Sequence, residues 1–190
     1  NGIAGIPGQE VAFAQAVELA IEYASALKVS SVNILAGKQP EDADLLPCLT
    51  TLAENLKFAA IRLSDNNIQP VFEMINGIDM PRFLIQNIAQ AQEMLEVVNH
   101  PFLKMQFDCY HMAMMNENIL EALHENIQDI GHIQFADCPH RHQPDTGNIN
   151  YADIFDYLNQ SNYKGFVAAE YKPQPSSETS FDWKDKYFSI

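Results

Sequence analysis

The chain has 190 residues, of which 47% are hydrophobic and 19% charged, as is typical of one globular domain with an apolar core. Its formal net charge is -14, and no cluster of Lys or Arg could neutralise a phosphate backbone, so we expect no nucleic-acid partner. No apolar run suits a membrane span or a signal peptide, and the cysteines are few and scattered. We therefore expect a cytoplasmic protein without a membrane partner.

Helix-like and strand-like segments alternate along the chain. Apolar residues recurring at helical spacing predict five helices, near residues 11–27, 49–63, 88–98, 119–127 and 151–158. A strand at 31–37 follows the first helix, and each later helix is followed by an apolar, strand-like run. The sequence therefore predicts five β-strands separated by four helices, with a fifth helix in front.

Four of these predicted strands end in one polar residue that could bind a hard metal ion. These residues are Glu73, Asp108, Gln134 and Glu170. Burying a carboxylate at a strand end is costly unless something pairs with it, so the four ends indicate one shared charged centre. Because all four side chains offer oxygen donors, we expect the centre to bind Mg²⁺ or Mn²⁺ rather than a structural zinc.

Alternating strands and helices predict a parallel α/β sheet, either a doubly wound open sheet or a (β/α)8 TIM barrel. Active sites of barrels are assembled from several strand ends, whereas open sheets concentrate ligands at one switch point, commonly with a Gly-rich turn. Four strand ends contribute here and the sequence contains no Gly-x-Gly-x-x-Gly, which favours the barrel. A whole barrel takes about 250 residues. We therefore expect residues 1–190 to be a single domain, the C-terminal part of a barrel truncated to about its last five strands.

The two-residue period of a strand also predicts which side chains face the helices. With the four polar ends pointing inward, the outward-facing residues are Phe72, Met105, Phe107, Ile133, Phe135 and Val167. Apolar residues towards the helices and polar residues on the inner side are typical of a barrel with a charged mouth.

Several segments resemble one known family. They are Phe72-Glu73-Met74-Ile75-Asn76, Gln106-Phe107-Asp108-Cys109-Tyr110-His111-Met112, His132-Ile133-Gln134-Phe135-Ala136-Asp137, Pro139-His140-Arg141 with Gly147-Asn148-Ile149-Asn150-Tyr151, and Glu170-Tyr171-Lys172-Pro173. In this order they resemble the hydroxypyruvate isomerases of the xylose-isomerase-like TIM barrel superfamily. The resemblance covers essentially the whole chain.

The resemblance implies that Glu73 and Glu170 are the catalytic acid/base pair and that Asp108 and Gln134 complete the metal site with them. Moving a carbonyl between adjacent carbons requires groups that remove and return a proton, which suits two carboxylates. Related superfamily members have His where this chain has Gln134, so the identity of the metal stays open.

Three further residues are expected to bind substrate. His111, just past the end of a strand, could donate a hydrogen bond to a substrate oxygen. Arg141 could bind a substrate carboxylate through its bidentate fork, and His140 either shares that role or packs beside it.

The expected reaction interconverts hydroxypyruvate and 2-hydroxy-3-oxopropanoate, with a small 2-oxo acid as substrate. Three alternatives stay open: the same chemistry on a four-carbon 2-oxo acid, a sugar epimerase or dehydratase, and an inactive truncated fragment. Such a fragment would expose strand edges and apolar faces, which would favour homo-oligomers or aggregates.

Overall fold

The computed structural model describes residues 2–188, which fall into two compact units, the second of which begins at Phe107. The described residues form five strands, seven α-helices and one short 3-10 helix. The predicted alternation of helices and strands is confirmed. The assignment of the chain to a single domain stays a prediction.

The first unit contains the predicted helices and strands up to β3. Its elements are α1 (Glu10–Leu27), β1 (Ser31–Ile34), α2 (Leu45–Ser64), β2 (Gln69–Glu73), α3 (Ile88–Val98) and the first residues of β3 (Lys104–Asp108). Strand β2 is paired in parallel with both β1 and β3, and Glu73 at its end is in register with Gln106. The parallel arrangement places the ends of β1 and β2 on the same side of this sheet.

Helix α1 forms because its apolar residues recur every three or four positions. Its buried residues are Phe13, Val17, Ile21 and Ala24. This spacing puts them on one face of the helix, which packs against α2 and β1. Helix α3 begins where the Asn87 side chain accepts a hydrogen bond from the backbone N–H of Gln90, a typical N-cap.

The second unit begins within β3, at Phe107. It contains α4 (Cys109–Met114), α5 (Ile119–Asn126), a 3-10 turn (Ile127–Asp129), β4 (Ile130–Phe135), α6 (Tyr151–Gln160), β5 (Val167–Ala169) and α7 (Asp182–Tyr187). Strands β4 and β5 are parallel, with Gln134 in register with Ala168. Helices α4 and α7, of six residues each, were not predicted from the sequence.

An aromatic cluster forms much of the core of the second unit. The ring of Phe135 lies 5.7 Å from that of Tyr151, 5.3 Å from Phe155 and 5.2 Å from Trp183, between ring centroids. Aromatic pairs at these distances stabilise a fold by more than the burial of their surface alone. They hold α6 and α7 against β4.

The residues predicted to face the helices are buried with one exception. The buried ones, at most 2% exposed, are Phe72, Met105, Phe107, Ile133 and Phe135, whereas Val167 on the short β5 is 37% exposed. Within residues 2–188, no helix combines the length and the apolar composition needed to cross a membrane.

Candidate active site

Glu73 is the last residue of β2, in the first unit, and only 5% of its surface is exposed. The neighbouring strand β1 supplies one partner: Asn33 Nδ2 donates a hydrogen bond to Glu73 Oε2 over 2.8 Å. The buried Asn33 Oδ1 has no hydrogen-bond partner among the described residues. Sequence reasoning did not identify Asn33, because this residue lies within β1, one residue before its end, and only polar residues at the ends of predicted strands were considered.

Asp108 ends β3 and at the same time caps α4. Its Oδ1 accepts a hydrogen bond from the backbone N–H of Tyr110 over 2.9 Å, and the residue is fully buried. Burial raises the pKa of Asp108 to about 6, although the neighbouring Arg141 guanidinium opposes that shift. The positive charge around Asp108 is therefore too small to offset its loss of water.

Arg141, in the loop after β4, joins two of the predicted metal ligands. Its Nη2 donates to Glu170 Oε2 over 2.7 Å and to Asp108 Oδ2 over 3.3 Å. Its guanidinium also lies 5.0 Å from the centroid of the Tyr110 ring, a cation–π distance. Both side-chain hydrogen bonds that Arg141 makes to described residues use Nη2, so Nε and Nη1 each keep an N–H group that could donate a single hydrogen bond to a further anion.

His111 lies on α4, one helical turn after Asp108. Its Nε2 is 3.7 Å from Asp108 Oδ2, and the residue is 2% exposed. The residues that the structure brings together in the second unit are therefore Asp108, His111, Arg141 and Glu170.

Gln134, His140 and His132 have different surroundings. Gln134 is in register with Ala168, two residues before Glu170. His140 is exposed, and its ring lies 6.0 Å from that of His142. His132 on β4 is half-buried, and burial lowers its pKa while the negative charge of Glu170 acts in the opposite direction.

A second residue that sequence reasoning did not identify as functional is Asp137, which follows β4 and is 1% exposed. Its carboxylate accepts hydrogen bonds from backbone N–H groups of the loop that contains Arg141. An Asp directly after a buried strand and before a Gly-containing loop is the signal that could have indicated it.

Comparisons with known proteins give consistent results over almost the whole chain. The model of the family described as "Xylose isomerase-like TIM barrel" matches residues 2–187. The hydroxypyruvate isomerase of Escherichia coli is 40% identical over 187 residues, which are 98% of this chain and 72% of that protein. The 2-oxo-tetronate isomerase of Cupriavidus necator is 34% identical over 98% of this chain and 72% of its own length.

Solved structures have the same fold. A crystal structure from Brucella melitensis, described as an AP endonuclease of family 2, has a TM-score of 0.94 and 32% identity, over 98% of this chain and 72% of that one. A D-psicose 3-epimerase from Clostridium cellulolyticum has a TM-score of 0.77 over 88% of this chain and 60% of that one, and its 19% identity shows the fold alone. The chain is therefore an enzyme of the isomerase class and belongs to the xylose isomerase-like TIM barrel family.

Proposed function

We propose that this enzyme is an aldose–ketose type isomerase that interconverts hydroxypyruvate and 2-hydroxy-3-oxopropanoate (tartronate semialdehyde). The observation that carries the choice of an acid as substrate is the position of Arg141, whose Nη2 lies 2.7 Å from Glu170 Oε2. A guanidinium suits a substrate carboxylate through charge-assisted hydrogen bonds, and here it also contacts a carboxylate that could transfer a proton. The 40% identical relative named hydroxypyruvate isomerase supports the same substrate.

The proposed chemistry divides the work between two carboxylates. Glu73 removes the proton from the hydroxyl-bearing carbon of hydroxypyruvate, which leaves an enediolate. Glu170, as a carboxylic acid, then donates a proton to the adjacent carbon, and the hydroxyl proton passes to the former carbonyl oxygen. Both carboxyl groups exchange protons with solvent before the next turnover. The hydrogen bond from Asn33 to Glu73 supports the role of Glu73 as a base, because it fixes the orientation of the carboxylate. His111 donates to a substrate oxygen, and free Arg141 nitrogens bind the acid group. His140 remains a candidate for the same acid group.

A divalent metal fits the residues of this chain. Glu73, Asp108, Gln134 and Glu170 would hold it through oxygen atoms, the donors that Mg²⁺ and Mn²⁺ prefer. The raised pKa of Asp108 supports a bound cation, because burial outweighs the effect of Arg141 and a further positive charge would favour the carboxylate. When bound, such an ion would neutralise negative charge that develops on substrate oxygens.

We also propose that these residues work in a closed (β/α)8 barrel that forms one domain. The family match and the parallel strand pairs within each unit support this architecture. In such barrels the C-terminal ends of the strands carry the active site.

A four-carbon 2-oxo acid is the second candidate substrate. The relative from Cupriavidus necator, named 2-oxo-tetronate isomerase, is 34% identical over 98% of this chain. Both candidate substrates carry a carboxylate that Arg141 could bind, so Arg141 does not discriminate between them. A neutral sugar has no such group, and Arg141 therefore argues against a sugar epimerase.

A substrate profile of the full-length enzyme tests this proposal. We expect the highest kcat/KM for hydroxypyruvate, a lower value for 2-oxo-tetronate, and little turnover of a neutral ketose such as D-psicose. In Arg141→Ala we expect KM for hydroxypyruvate to rise by about 10- to 100-fold, because a charge-assisted hydrogen bond contributes roughly 1.5–3 kcal/mol. A neutral sugar as the best substrate, with KM unchanged in the variant, would overturn the proposal.

A further inference from the structure

The loop that carries Arg141 is organised around the carboxylate of Asp137. Four backbone N–H groups donate to this carboxylate: Cys138 (2.9 Å) and Ile149 (3.1 Å) to Oδ1, and Thr146 (3.1 Å) and Gly147 (2.9 Å) to Oδ2. Each oxygen therefore accepts two hydrogen bonds, which matches its two lone pairs. All the acceptor positions of the Asp137 carboxylate are therefore used by the backbone of the loop.

The same residue fixes the backbone of Arg141. The N–H of Arg141 donates to the Asp137 carbonyl over 2.9 Å, and the N–H of Asp137 donates to the His142 carbonyl over 2.8 Å. On the other side, the N–H of Lys172 donates to the Arg141 carbonyl over 2.6 Å. Arg141 itself has a φ of 58°, in the left-handed region that non-glycine residues seldom adopt. These bonds hold Arg141 in a conformation that it would rarely adopt alone.

Gly147 shows how closely the loop approaches the Asp137 carboxylate. A Cβ atom at this position would contact the Cys138 carbonyl oxygen and would lie 2.6 Å from Asp137 Oδ1. No side chain fits between the loop and the carboxylate. The loop can close on Asp137 in this way only with glycine at position 147.

We propose that Asp137 is a positioning residue for substrate binding: it holds the loop so that the Arg141 guanidinium reaches Glu170 and Asp108 and presents its free nitrogens to the substrate carboxylate. This inference rests on the role proposed above for Arg141. Asp137 itself contacts neither substrate nor metal in this account, since its oxygens are filled by backbone groups.

A double-mutant cycle on the full-length enzyme tests this role. Asp137→Asn keeps the size of the side chain but turns an NH₂ group towards backbone donors. We expect kcat/KM for hydroxypyruvate to fall by about tenfold, through a rise in KM. In the Arg141→Ala background the same substitution should change kcat/KM by less than about twofold, because no guanidinium remains to be positioned. Equal effects in both backgrounds would overturn the proposal.

Gly147→Ala provides a second, independent variant for the cycle, since it displaces the loop and leaves the carboxylate intact. We expect Gly147→Ala to raise KM as Asp137→Asn does, and to have almost no effect in the Arg141→Ala background. Asp156→Asn, an exposed carboxylate on α6, is the matched control and should leave KM unchanged.

Hydrogen exchange provides a readout that does not depend on turnover. The backbone amides of residues 138–149 should exchange faster in Asp137→Asn than in Asp156→Asn, and protection that stays the same would contradict the proposal. If KM is unchanged in Arg141→Ala itself, the proposed function fails. If KM rises in Arg141→Ala but both cycles are additive, only the role of Asp137 fails.

Discussion

Asn33 and Glu73 form the contact that most directly concerns the proposed base. The amide nitrogen of Asn33 holds one oxygen of Glu73, while its own Oδ1 is buried without a partner among the described residues. A buried acceptor without a donor costs about 1–3 kcal/mol of stability. An arrangement that costs stability yet orients a carboxylate is typical of a functional site.

We expect Asn33→Ala to lower kcat for hydroxypyruvate by about 10- to 100-fold while KM changes by less than about twofold, because a hydrogen bond to a charged group contributes roughly 1.5–3 kcal/mol. The melting temperature should change little, since removing the unpaired oxygen offsets the lost hydrogen bond. Steady-state kinetics and thermal unfolding, with Asn66→Ala in an exposed turn as control, check this. A lower melting temperature with unchanged kcat would show that Asn33 only fills space.

At the scale of elements, the junction of β3 and α4 determines the surroundings of Asp108. The strand ends at Asp108 and the helix begins at the next residue, so this carboxylate caps the helix while it is fully buried. The helix then places His111 one turn further on, 3.7 Å from Asp108. A buried, partly compensated carboxylate makes stability depend on pH.

The pKa of Asp108 predicts the direction of that dependence. Because its folded-state pKa is about 6 rather than 3.8, this group stabilises the fold at low pH, and that stabilisation is lost as the pH rises from about 4 through 6. In metal-free protein at pH 7, we therefore expect Asp108→Asn to be more stable than wild type, with a free energy of unfolding higher by roughly 1–3 kcal/mol. Urea unfolding of both proteins between pH 4 and 8, in EDTA, checks this, with Asp156→Asn as control.

With Mn²⁺ added, we expect wild type to have a higher free energy of unfolding than Asp108→Asn, the reverse of their order in EDTA. The ion would stabilise wild type by binding the carboxylate and should have little effect on Asp108→Asn. A variant that is less stable than wild type throughout the pH range in EDTA would contradict the expected role of burial at Asp108.

The elements differ in how well the sequence predicts them. Long helices such as α1 and α2 bury residues at a clear helical spacing, and their bounds agree with the prediction within a few residues. Helices α4 and α7 are too short for that spacing to repeat. The exposure of Val167 was also not predictable, because strand alternation gives the face of a residue and not the packing over it.

Across the chain, the charged residues of the site were easier to predict from the sequence than the residues that hold them in place. Glu73 and Asp108 stand out as carboxylates at the ends of apolar strands, and the structure finds both buried. Asn33 acts through a hydrogen bond to Glu73, forty residues away in sequence, which no local pattern indicates. Asp137 acts through hydrogen bonds to loop amides, and its only signal in the sequence is its place between a buried strand and a Gly-containing loop. Arg141 was predicted to bind substrate, and its contacts with Asp108 and Glu170 became visible only in the fold.

If two carboxylates transfer the proton, turnover depends on each of them, and Glu73→Gln is the sharpest test of this mechanism. Turnover of hydroxypyruvate by the full-length enzyme should fall by at least about 1,000-fold in Glu73→Gln, and similarly in Glu170→Gln, because an amide cannot accept the proton. Glu22→Gln, an exposed position on α1, should keep wild-type activity, and circular dichroism should show that all three variants are folded. Wild-type turnover by a folded Glu73→Gln variant would contradict the account.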